Sequence, residues 1–166
     1  ASGRWSTLGA LGEGTCNLVY VDDVVDALLA AGIAPWVTLF HWDYPYALFQ
    51  QGGWLNSSSP DWFAEYTRVV VDALSDRVSH WITLNEPMCS SILGYLVGRH
   101  APGITDRQKA YSAIHHLNLG HGLALQAFRD GGYPGQIGTT LNLYTPRPAT
   151  NSEADILAAD RATDRD

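Results

Sequence analysis

At 166 residues, 46% of them hydrophobic, the chain is the right size for one domain with its own core. A formal net charge of −7 without any run of Lys or Arg argues against nucleic acid and anionic membrane as partners. Two cysteines, Cys16 and Cys89, cannot form a disulfide framework, and no apolar stretch reaches membrane-spanning length, so a reducing, cytoplasmic setting is the expectation.

In chain order, residues 4–8 read as a candidate strand, and the three glycines between Gly9 and Thr15 read as loop. Asn17 is a candidate N-cap. Val21, Val24, Val25, Leu28 and Leu29 then recur at helical spacing over residues 18–31, and Gly32 stops that helix. Trp36-Val37-Thr38-Leu39-Phe40 is an almost wholly apolar run of strand length, the pattern of a strand covered on both faces. It ends in His41-Trp42-Asp43. Residues 44–51 predict a short helix or turn, and Gly52-Gly53-Trp54-Leu55 continues into a Ser-rich loop. That loop leads to a helix over residues 60–77, with Ser59 as N-cap and Pro60 in its first position.

Residues 78–84 predict the next strand, which runs into Asn85-Glu86-Pro87. Residues 89–97 read as helical and 98–103 as loop. A strong helix spans 110–129, and a last strand 136–142 precedes a helix that starts with Ser152-Glu153-Ala154-Asp155. His115, His116 and His121 lie on the strong helix, but no carboxylate joins them, so no metal site is expected.

Strand and helix thus alternate four times. This predicts parallel strands joined by helical crossovers: an α/β fold with about four units, half of an eight-stranded barrel. A doubly wound sheet is the arithmetic alternative, although no Gly-x-Gly-x-x-Gly succeeds a clean strand. In a parallel barrel the C-terminal strand ends carry the chemistry. Two such ends here deliver polar groups directly, His41-Trp42 and Asn85-Glu86. Taken alone, Glu86 also reads as an ordinary first-turn helix acid, and His41 as a structural histidine.

Four stretches, in order, resemble family 1 glycoside hydrolases, the β-glucosidase family. They are Trp36 to Asp43, Gly52-Gly53-Trp54-Leu55, Trp81-Ile82-Thr83-Leu84-Asn85-Glu86-Pro87 and His100-Ala101-Pro102-Gly103. His115-His116 and the run from Leu141-Asn142 to Thr150 also look like it, so the resemblance covers roughly 18–166. It implies a TIM-type barrel and retaining hydrolysis of β-glucosides, with no cofactor and no metal. Glu86 is then the acid/base, and Asn85 bonds the sugar near its 2-hydroxyl. His41 binds sugar hydroxyls and Trp42 supports that pocket. Asn142 lies toward the leaving group, and Arg4 stands near the nucleophile.

The departures from the family pattern are as specific. Its first strand and last three strands, which include the nucleophile, have no match here, and Met88 replaces a common aromatic. Asp43 is the only carboxylate near the strand ends besides Glu86, and in the family that position is not the nucleophile. The resemblance therefore describes an N-terminal-half fragment, 1–166 as a single half-barrel, with little or no turnover of its own. The alternative is a non-catalytic half-barrel that serves as a folding module or weak sugar binder. Either form leaves open barrel edges and implies self-association, most simply as a homodimer.

Overall fold

The structure, a computed structural model, describes residues 20–143 and 145–163. The predicted strand at 4–8, Arg4 and the Asn17 cap lie outside the described residues. Three parallel strands form one sheet in the order β1 (Trp36–Phe40), β2 (His80–Asn85), β3 (Gln136–Thr140). The helices are α1 (Val21–Ala30), the short α2 (Tyr46–Phe49), α3 (Ser59–Leu74), α4 (Arg107–Asp130) and α5 (Glu153–Thr163). A 3₁₀ turn (Gly53–Leu55) precedes α3, and a π-helix (Cys89–Leu96) comes after β2.

The register columns explain which face is covered. Val37, Trp81 and Ile137 are partners across the sheet and pack into the core formed with α3 and α4. There Trp81, Leu84, Val71, Leu74 and Leu117 are each at most 2% exposed, and each such side chain stabilises by roughly 1.5–3 kcal/mol. Alanines 110, 113, 124 and 127 and Gly120 line the buried stripe of α4, so α4 can lie close along α3. The next column, Trp36, His80 and Gln136, faces away from that core. Trp36 stacks on His80 at 4.4 Å between ring centres but stays 61% exposed. Among the described residues α3 and α4 both belong to the core on one face, as in an open segment of a β/α barrel. A doubly wound sheet carries them on both.

The ends of several elements shift by one to three residues from the sequence expectation, and two side-chain details differ as well. The α3 N-cap is Ser58, not Ser59. The Ser59 hydroxyl is drawn inward instead: it donates to the Gly53 carbonyl and accepts from the Tyr44 hydroxyl at 3.1 Å. The apolar stripe of α1 buries only Val25, while Val21 and Val24 stay exposed. Arg77, just beyond α3, holds α1 through Asp22 at 2.6 Å and Asp26 at 3.7 Å.

Candidate active site

β1 and β2 are parallel and end level, with Phe40 opposite Leu84. The residues just past each strand are therefore delivered to the same rim. His41 and Trp42 come directly after β1, while Asn85 closes β2 and Glu86 comes next. Asn85 Nδ2 lies 3.4 Å from His41 Nε2, and the Trp42 indole N–H donates to the Asn85 carbonyl at 3.0 Å. From β3, the Thr140 hydroxyl donates to Asn85 Oδ1 at 2.9 Å. With its oxygen engaged from one side, the amide turns its NH₂ toward the imidazole. Trp42 also stands against the His41 ring at 5.2 Å and the His100 ring at 5.1 Å, edge and face partly open to solvent.

Backbone geometry sets these directions. Ile82 pairs with Gly138 and Asn85 with Thr140, so three residue steps on β2 stand against two on β3. This bulge breaks the strand's alternation and re-aims the residues beyond it. The Thr139 hydroxyl pins it by donating to the Leu84 carbonyl at 2.7 Å, and Glu86 N–H donates to the Thr140 carbonyl at 3.0 Å. Trp42 (φ 75°) and Glu86 (φ 46°) are the non-glycine residues with left-handed backbone among those described. Each such position costs on the order of 1–3 kcal/mol, and such strain gathers where a side chain must be aimed.

Around Glu86 the chain turns back on itself. Cys89 N–H donates to the Glu86 carbonyl at 2.8 Å, and Cys89 Sγ lies 3.2 Å from Glu86 Oε2. Asn142, on the segment after β3, brings its side chain to the same thiol. Burial, then the hydrogen bond and charge of Glu86, pushes the Cys89 thiol up from its ordinary value, and Asn142 opposes the rise. No described residue bonds Glu86 Oε1. The site thus has a half-buried carboxyl with one oxygen held and the other bonded by no described residue. An amide, an imidazole and an indole stand beside it, all suited to hydroxyl groups.

Of the residues the sequence points to, His41, Trp42, Asn85, Glu86 and Asn142 come together, and Arg4 lies outside the described residues. Asp43 does not join them. It lines two cavities of about 220 and 300 Å³ with Phe40, Tyr44 and Trp54; Trp42 shares the larger of them, and Glu86 lines neither. Two of the three α4 histidines serve the scaffold, and His115 is exposed. His116 Nδ1 lies 2.8 Å from the Trp54 carbonyl, and His121 Nδ1 lies 2.7 Å from the Thr83 hydroxyl. Among the described residues, no cluster of three His, Cys, Asp or Glu side chains offers a metal site. Cys89, Thr140 and His100 join the site without a sequence expectation that placed them there. The spacing of Cys89 three residues after Glu86 was the available signal.

The sequence model described as glycosyl hydrolase family 1 matches residues 5–165. The chain is 43% identical over 157 residues to β-glucosidase A of Thermotoga maritima, covering 93% of this chain and 35% of that protein. It is 38% identical over 161 residues to a β-glucosidase of an Agrobacterium species, covering 95% of this chain and 35% of that protein. Among solved structures, a Thermotoga maritima β-glucosidase in complex with glucoimidazole superposes with a TM-score of 0.78 at 45% identity, over 84% of this chain and 32% of that one. The chain spans about a third of the length of the curated relatives it matches.

Proposed function

This chain belongs to glycosyl hydrolase family 1, and from that premise we propose that it forms the acid/base side of a retaining β-glucosidase site. Glu86 is the acid/base. Asn85 and His41 bond the hydroxyls of a β-glucoside, Trp42 walls the sugar pocket, and Asn142 faces the leaving group. Arg4 belongs to the nucleophile's side. One observation carries the reading: β1 and β2 end level and present His41-Trp42 and Asn85-Glu86 on one rim, tied by hydrogen bonds.

Retaining hydrolysis needs two carboxyl groups about 5–5.5 Å apart, one to attack the anomeric carbon and one to protonate the leaving oxygen. Glu86 supplies the second role, first as acid to the departing oxygen and then as base to water. Among the described residues the strand ends carry one carboxylate besides Glu86, that of Asp43, and Asp43 lines two cavities that Glu86 does not line. The 166-residue chain therefore binds a sugar weakly and turns it over little or not at all.

A second reading, a sugar-binding half-barrel without chemistry of its own, draws on the same single carboxylate and on the uncovered sheet face. Two measurements test these readings: aryl β-glucoside hydrolysis by the chain and by Glu86→Gln, and NMR titration with glucoimidazole. The acid/base reading expects shifts at the Trp42 indole, His41 and the Asn85 amide, with the Trp54 and Trp81 indoles unmoved. Absence of shifts at millimolar ligand would remove both readings. Robust hydrolysis lost in Glu86→Gln would show that the chain or its assembly supplies the nucleophile.

A further inference from the structure

We propose that Cys89 is the positioning residue for Glu86: its thiol donates to Oε2 and leaves Oε1 as the oxygen that carries and delivers the proton. The inference rests on the acid/base reading for its chemical meaning, but its geometry stands apart from that reading. Cys89 touches Glu86 twice, once through its N–H to the Glu86 carbonyl and once through Sγ to the carboxyl. It opens the π-helix, a geometry that recurs at functional sites. It is 4% exposed, so little water competes with the thiol for the carboxylate. Glu86 has left-handed backbone, and its carboxyl meets the thiol three residues further on.

Donor counting fixes the chemistry. A thiol has one proton and a carboxylate has none, so the S–H points at Oε2. When Glu86 takes up a proton, Oε2 is already accepting and stays the carbonyl-like oxygen. The new O–H then forms on Oε1, which no described residue bonds. A rotatable carboxyl is in this way reduced to one proton-bearing oxygen. Asn142 also interacts with the thiol and opposes the rise in its pKa.

The test uses the 166-residue chain in a Cys16→Ser background, so that one thiol titrates. Thiolate absorbance against pH is recorded with Glu86 present and in Glu86→Gln, with Glu65→Gln as the control on an exposed helix carboxylate. Loss of the Glu86 charge should move the thiol titration down toward the ordinary cysteine range, and the control should leave it in place. In parallel, side-chain couplings of Glu86 are measured by NMR in the parent, Cys89→Ser and Cys89→Ala. A single rotamer with Cys and Ser, and averaged couplings with Ala at unchanged thermal midpoint, is the expected pattern. A thiol titration indifferent to Glu86→Gln, or one Glu86 rotamer retained in Cys89→Ala, overturns the proposal. Neither measurement involves a sugar, so failure here is distinct from failure of the glycosidase reading.

Discussion

Thr83 is the residue on which the back of the site rests. It is fully buried, donates to the Gly138 carbonyl at 2.9 Å and meets His121 Nδ1 at 2.7 Å, so one hydroxyl ties β2 to both β3 and α4. Thr83→Val keeps the shape and leaves His121 without its partner. It should destabilise by about 1–3 kcal/mol, read as a lower urea midpoint at unchanged slope. His121 itself is held below the ordinary histidine value by burial. The unfolded chain then binds a proton more readily than the folded one. The stability linked to His121 is whole above about pH 6.5 and is lost as pH falls from there toward the folded value. Urea midpoints taken from about pH 7.5 down to about pH 5.5 should therefore fall more steeply in the parent chain than in His121→Gln.

Among elements, β3 depends on how it begins. Gly135 has φ +100°, and a Cβ there would lie 2.1 Å from the Ser79 carbonyl oxygen, the acceptor for Gln136 N–H. Gly135→Ala should therefore cost about 3 kcal/mol or more and loosen β3 from β2, checked by denaturant midpoint and by faster amide exchange in β3. The elements also mark what local pattern can reveal. The apolar run Trp36–Phe40 stands as β1 without change, because five consecutive β-favouring residues between Pro35 and His41 leave no competing structure. β2 was legible as a strand, but its bulge was not, since a bulge is a relation between Ile82–Asn85 and Gly138–Thr140 rather than a property of either run. Ser59 obeyed the rule for a cap before proline, but tertiary bonds to Tyr44 and Gly53 took its hydroxyl. The rim residues were legible because strand ends aim them. Cys89 stands three residues after Glu86, but that spacing alone does not say that the thiol meets the carboxyl, because no pattern announces the left-handed backbone at Glu86.

At the scale of the molecule, one sheet face and the outer edges of β1 and β3, which pair with no further described strand, decide behaviour. The column of Trp36 and His80 and the neighbouring Ile82 face away from α3 and α4, and no described helix covers them. Bare strand edges and apolar faces favour pairing. Light scattering after size exclusion should give the mass of a dimer, and Ile82→Lys should return a monomer with its thermal transition retained. A monomer mass for the parent chain at micromolar concentration would contradict this. Above all, the rim of β1 and β2 should hold a working acid/base for glucoside hydrolysis. The most direct measurement exchanges this chain for the aligned segment of Thermotoga maritima β-glucosidase A and tracks aryl β-glucoside hydrolysis by the chimera. The expected result is an active chimera in which Glu86→Gln lowers turnover of a glucoside with a poor leaving group by about 10²–10⁴-fold, with azide restoring turnover of an activated one. A folded chimera that binds glucoimidazole but hydrolyses nothing, or one whose activity is indifferent to Glu86→Gln, would contradict it.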